Sequence, residues 1–392
     1  MLLHLPSKVS SLVKIGVTTL VMLALGDVNQ FARAQSASPT CEGVQLGGIN
    51  QPVVTIVASR RGFFASEGIN VCFNQASGST ALFNDLFAGK YDLVTTTADN
   101  VVNRVVNSNL PLELVAGFDR GSDLVLAVNT ELGINSIADL RGLPIAVDAP
   151  DSGFVLALRK ILGENGLFLE NGDYSLQQIG GTSVRYRDLV AGQTPTNEPV
   201  YATILNYPFT VISTAQAPNI RILERLSDYV SPYQATSLAT TSDYAATSGD
   251  TITAFIRAYI KAGQFVADPA NREAVIADLA AALNVPLDVA ALQLDAVLAE
   301  TSGVILDAQL DEQGLINAIN LRQEFGGLNR VVDSEELAKP GGGLYDDQYW
   351  RAAINSLSPI TPTPVPEPTS ALGLLAFAAG GTILVLKRCQ KN

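Results

Sequence analysis

The residues able to do chemistry in this chain are hydroxyls, amides and carboxylates gathered in short polar runs. The richest is Ser77-Gly78-Ser79-Thr80, which follows an apolar stretch and opens a helical pattern. Its hydroxyls and the free N–H groups of a first helical turn suit a polar or anionic group; an ordinary helix cap asks for the same residue types. Thr95-Thr96-Thr97-Ala98-Asp99-Asn100 reads as a loop offering hydroxyls and a carboxylate. Phe118-Asp119 pairs a ring that can stack with an acceptor for an amine, Asp151-Ser152-Gly153 starts another helix, and Asn206-Tyr207 ends a strand. Gly47-Gly48-Ile49-Asn50 is weaker, because its glycines serve a turn as readily as a ligand. Across these runs Asp99, Asp119 and Asp151 outnumber the nearest cation, Arg120, which favours a ligand with amine or N–H donors over nitrate or a simple sulfonate.

Other chemistries are excluded by what is missing. The single histidine is His4, close to the start, so the body lacks a Ser-His-Asp or Cys-His pair and a histidine-based metal site. Gly341-Gly342-Gly343 lacks the Lys and hydroxyl of a phosphate loop. Asp346-Asp347 and Asp311-Glu312 read as solvated surface charge. The expectation is a binding protein, without enzymatic activity, cofactor or metal.

The elements that hold these runs alternate. Strands are predicted over 44–47, 69–73 and 91–95, with helices over 52–61 and 79–88 between them, and this βαβαβ order calls for a parallel sheet covered by helices. A second α/β unit follows: strands over 124–128, 144–147, 176–179 and 200–205, helices over 137–140, 152–164 and 184–191. Beyond residue 219 long helices take over, at 251–267, 271–283, 287–300 and 312–325. Phe63-Phe64 beside Gly62 reads as core packing.

The 392 residues are 47% hydrophobic and 16% charged, enough for a large core. A net charge of −13 would repel a phosphate backbone, which argues against nucleic acid as a partner. Residues 1–34 read as a secretory signal peptide, with Lys8 and Lys14, an apolar run over 15–25 and Ala32-Arg33-Ala34 as the cleavage site. Cys41 and Cys72 can pair in an oxidising compartment, closing a loop worth about 3 to 4 kcal/mol; a free, buried Cys72 is the other reading. Residues 358–369 form a proline-rich linker, 370–386 an uncharged stretch at the short limit of a membrane span, and 387–392 a basic tail that keeps the body outside the cytoplasm.

Two resemblances follow from these residues. The ending, with Pro366-Glu367-Pro368, an apolar span and a basic end, resembles the PEP-CTERM sorting signal of bacteria, which implies recognition by an exosortase-type protease and a membrane tether at least until cleavage. Residues 58–71, with Gly62-Phe63-Phe64 and Glu67-Gly68-Ile69-Asn70-Val71, resemble periplasmic substrate-binding proteins of the ABC-transporter sulfonate, nitrate and thiamine-precursor group. So do Ala88-Gly89-Lys90-Tyr91-Asp92-Leu93, the run from Ile137 to Val147, Ala267-Asp268-Pro269-Ala270-Asn271-Arg272 and Leu344-Tyr345-Asp346. This second resemblance implies the type II periplasmic binding fold. One lobe would hold 42–124 and 213–357 and the other 125–212, hinged near 120–125 and 208–214, closing on one small organic nutrient, a thiamine-precursor-like heterocycle, a sulfonate or a similar compound, and docking on a permease with its ATPase. The ligand residues would be Asn50, Ser77, Gly78, Ser79, Thr80, Thr96, Thr97, Asp99, Phe118, Asp119, Asp151, Ser152, Gly153, Asn206 and Tyr207. An exosortase-sorted envelope or matrix protein that keeps the fold without transport is the alternative.

Overall fold

The computed structural model describes residues 41–357, except 122 and 300–302. The signal-peptide reading and the sorting-signal reading both lie outside the described residues. Within them the chain builds two five-stranded sheets.

The first stretch runs β1 (Val44–Gly48), α1 (Val53–Arg60), α2 (Phe63–Ser66), β2 (Val71–Gln75), α3 (Ser79–Phe87), β3 (Leu93–Thr97), α4 (Ala98–Ser108) and β4 (Leu112–Gly117). The second runs β5 (Val125–Asn129), β6 (Pro144–Val147), α5 (Gly153–Glu164), β7 (Ser175–Gln178), α6 (Thr182–Ala191), β8 (Ala202–Leu205), α7 (Phe209–Gln216) and β9 (Ile220–Arg225). The chain then returns as β10 (Thr236–Thr241) and closes with α8 (Ser242–Thr247), α9 (Gly249–Ala267), α10 (Arg272–Leu283), α11 (Leu287–Leu298), α12 (Glu312–Glu324), α13 (Ser334–Ala338) and α14 (Gln348–Leu357). Every residue of β3 and β5 is buried, as expected of strands covered on both faces.

The first sheet has the order β2-β1-β3-β10-β4 and the second β7-β6-β8-β5-β9. In each, one strand runs against its neighbours: β10 is antiparallel to β3 and β4, and β5 to β8 and β9. Two segments cross between the lobes, 118–124 and 226–235, and they run side by side. Phe118 donates its N–H to Thr236 O (2.8 Å), Ala235 to Asp119 O (2.9 Å) and Leu226 to Leu124 O (2.8 Å). The second crossing therefore does not lie at 208–214, which is the turn into α7; β9 pairs with β5 and extends the second lobe to Arg225.

Two further differences concern the first lobe. The expected loop at 95–100 does not exist, because β3 extends to Thr97 and runs directly into α4. Helix α4 buries Val101, Val102 and Val106, β-branched residues of modest helix propensity whose helical spacing outweighs it. Gly47 and Gly48 lie inside β1, not in a turn; a Cβ on Gly47 would meet the Tyr91 ring at 2.4 Å, so the glycine admits that ring. Cys41 and Cys72 are disulfide-bonded, with their Cα atoms 5.8 Å apart.

The lobes share an element. Helix α12 supplies Leu315 and Ile319 to the apolar core of the first lobe and Ala318 and Leu321 to that of the second.

Candidate functional site

The carboxyl ends of the strands face one another across the lobes, and the chain segments there carry the polar runs. A cavity of about 60 Å³ is lined by Asn50 and Val53 from the start of α1, Phe118, Asp119 and Asp123 from the first crossing, Asn206 and Tyr207 after β8, Thr236, and Tyr259 of α9. That is room for on the order of five water-sized groups. Asn50 Nδ2 donates to Asn206 Oδ1 across the lobes (3.2 Å). A smaller compartment continues past this pair, lined by Thr95, Thr96, Thr97, Asn100 and Phe154.

Asp119 and Asp123 stand four residues apart on the crossing, and both are more than nine-tenths buried. Burial first, and then the charge of Asp123, holds the Asp119 carboxyl well above the ordinary carboxylate range. Burial likewise pushes Asp123 up to about 6, against the hydrogen bond it accepts from the Tyr207 N–H. Arg120, beside them in sequence, is turned away to Asp311 at 2.6 Å. Behind the carboxyls Phe118 stacks on Tyr259, with centroids 4.1 Å apart and planes 7° from parallel. Tyr207 donates its hydroxyl to Ala296 O (3.2 Å), which fixes its ring against α11.

The hydroxyl-rich loops are placed differently. Helix α3 has no side-chain cap of its own; Asp148, at the carboxyl end of β6 in the other lobe, accepts from the Ser79 hydroxyl and, at 3.4 Å, from the Ser79 N–H. Its second oxygen accepts from Ser152 Oγ at 2.6 Å. The reverse arrangement holds for α5, whose Gly153 N–H donates to Asn100 Oδ1 of the first lobe at 3.2 Å. Each lobe thus satisfies the helix start of the other. The contact is close, for a Cβ on Gly153 would stand 2.5 Å from Thr97 Oγ1, a buried hydroxyl with no hydrogen-bond partner. Ser77, Gly78 and Thr80 line an open groove of about 380 Å³ beside Asp148 and Gln178.

Among the described residues this two-sheet arrangement, with paired crossings and site residues drawn from both lobes, coincides with a sequence match over residues 51–272, more than half of the chain. The chain belongs to the NMT1/THI5-like family. No curated protein matches it significantly. Solved structures share the fold with this NMT1/THI5-like chain. The alkanesulfonate-binding protein SsuA of Xanthomonas axonopodis pv. citri, bound to MOPS, is 15% identical with a TM-score of 0.59, covering 73% of this chain and 94% of its own. The periplasmic nitrate-binding protein NrtA of Synechocystis PCC 6803 is 12% identical with a TM-score of 0.61, covering 80% and 89%. A desulfurization enzyme, DSZB, also aligns, at 16% identity and a TM-score of 0.51, covering 80% and 99%. The architecture is that of the periplasmic binding proteins.

Of the residues expected at the site, Asn50, Phe118, Asp119, Asn206 and Tyr207 meet in one cavity, and Thr96 and Thr97 border its extension. Asp99 lines neither the cavity nor its extension: both its oxygens are held at 2.6 Å by Arg322 of α12, and it is fully buried. Asp151 is exposed, accepting from Asn103 Nδ2 at 3.3 Å, while its carbonyl accepts from Arg322. Ser79, Ser152 and Gly153 are spent on the reciprocal caps. Asp123, Asp148 and Tyr259 escaped the sequence reading. The i, i+4 spacing of Asp119 and Asp123 was a signal for the first, and the position of Asp148 directly after a strand was one for the second. Nothing local marks Tyr259, which reaches the cavity from a helix 140 positions beyond Asp119.

Proposed function

We propose that this protein is the extracytoplasmic solute-binding component of an ABC-type uptake system, clamping a small organic nutrient between its lobes and presenting the closed form to a permease and its ATPase. The observation that carries this reading is the cavity whose polar lining comes from both lobes, Asn50 on one side and Asn206 and Tyr207 on the other. Residues 1–34 as a signal peptide and the Cys41–Cys72 disulfide support export. We read residues 358–392 as a PEP-CTERM signal, with 370–386 as a transmembrane segment that tethers the protein until an exosortase-type protease cuts near Pro366-Glu367-Pro368. The ligand is a compound with N–H donors, such as a small heterocycle, in preference to a sulfonate or nitrate. Asp148 and Asn100 already occupy the helix starts that would otherwise hold an anion.

The same reciprocal caps favour a second reading, an exosortase-sorted envelope or matrix protein that keeps the fold without transport, because they close the lobes with the protein's own side chains. Thermal unfolding of the full chain against pyrimidines, amines, sulfonates, nitrate and amino acids separates the two. A ligand at 100 times its dissociation constant adds roughly 2.7 kcal/mol. A shift with one chemical class supports the receptor; no shift with any class, and no co-purifying small molecule, supports the envelope protein.

A further inference from the structure

We infer that the Asp119–Asp123 cavity is the seat of a ligand's ammonium group, and that the solute is a small organic cation with a primary amine on a compact apolar or aromatic body. This rests on the solute-binding reading and names its substrate class. Two carboxyls, 6% and 5% exposed, line one cavity, and none of the described residues lining it is Lys, Arg or His. A buried anionic pair of this kind is costly unless a proton or a cation joins it. Arg120 is committed to Asp311, and Arg225 lines a separate outer pocket that it shares with Asp123 and Tyr207. In the ligand-free protein a proton held between the two carboxyls meets that cost, and an ammonium entering the cavity takes its place.

The rest of the lining fits that ligand. An ammonium has three N–H donors and no acceptor, and the cavity supplies the two carboxyls with the Asn50 and Asn206 amides beside them. The stacked Phe118–Tyr259 pair and the Tyr207 ring offer π faces and apolar area, which attract a cation and accept the body that carries it. A bare metal ion fits less well: among the described residues no three His, Cys, Asp or Glu side chains are grouped to hold one. An unsatisfied hydroxyl lies beside the adjoining compartment. Thr97 Oγ1, on a residue 6% exposed, has no hydrogen-bond partner and borders the compartment that shares Asn50, Asn206 and Thr236 with the cavity. It stands against Gly153 of the other lobe, so a polar group of the solute reaches it only where the lobes part.

The test is calorimetric titration of the full chain at pH 8 with benzylamine and putrescine, alongside benzyl alcohol and benzenesulfonate as neutral and anionic counterparts. Benzylamine or putrescine is expected to bind at least tenfold more tightly than benzyl alcohol, with no binding of benzenesulfonate. The double variant Asp119→Asn, Asp123→Asn is expected to lose at least tenfold in amine affinity without a lower thermal midpoint. Binding of benzyl alcohol or benzenesulfonate without the amines overturns the ammonium assignment and leaves the solute-binding reading in place. Silence from all four probes and from the wider ligand panel overturns both. Should the double variant not fold, the wild-type chain decides. Benzylamine stays protonated from pH 5 to pH 8, so its affinity is expected to rise at least tenfold as the carboxyls ionise in the presence of Arg120, Arg225, Tyr207 and Tyr259, and a flat profile overturns the assignment.

Discussion

Asp119 and Asp123, both more than nine-tenths buried, line the same cavity between the lobes. Their titration gives a stability prediction with a definite sign. A carboxyl whose folded value lies above its ordinary 3.8, as Asp123 does at about 6, is stabilising while protonated, and that contribution is lost as pH rises through the folded value. The ligand-free full chain should therefore lose stability relative to the Asp119→Asn, Asp123→Asn variant between pH 4 and pH 7, by on the order of 3 kcal/mol from Asp123. Denaturant titrations of both chains across that range check it, and a constant difference would refute it. Asp148 supports a second prediction. Asp148→Ser removes the acceptor that caps α3 and should let sulfate raise the thermal midpoint of the variant and not of the wild type. Equal responses would mean that the helix starts are not held closed by this carboxylate.

At the scale of elements, what could be read was the alternation of strands and helices, because apolar runs bounded by turn residues carry their own periodicity. Strand β6 falls where the pattern puts it, and α9 to α12 begin within two residues of their expected positions. The stretch from Ala98 to Gly117 was not legible. Helix α4 alternates valine pairs with asparagines, a composition that favours neither state locally, and only burial against β4 and α12 decides it. The second crossing was misplaced for a related reason. Strand β9 is half-buried and carries three charges, so it reads as surface until β5 pairs with it. The disulfide belongs to this scale, since it ties the residues before β1 to the start of β2. Removing it by Cys41→Ala, Cys72→Ala should cost about 3 to 4 kcal/mol by loop-closure entropy. Chemical denaturation under non-reducing conditions measures the difference, and no loss would show that β1 and β2 need no cross-link.

Over the whole molecule, the candidate site exists only where two lobes, two crossings and one shared helix are assembled. That is why sequence marks single loops as candidates, while the partners of Asp99 and Asp151 are set by a residue far along the chain. Arg322, 223 positions beyond Asp99, decides the fate of both. The closeness of the lobes at Gly153 gives a test of the clamp. Gly153→Val puts a side chain where Thr97 Oγ1 already stands and should enlarge the radius of gyration in solution scattering while weakening any ligand by at least tenfold. An unchanged radius would mean that the lobes yield locally without parting.

The position of β10 governs the order in which this chain can fold. It lies between β3 and β4, yet follows both by the whole of residues 118–235. A chain emerging from its amino end presents β3 and β4 with unpaired edges while the second lobe is still being delivered, and exposed edges invite wrong pairing. The second lobe, by contrast, draws its sheet from the uninterrupted run 125–225 and can close as soon as that run has appeared. The lobe delivered later can thus pair its sheet first, and the earlier one waits for its central strand, so any helper that shields the emerging chain has the open first sheet to guard.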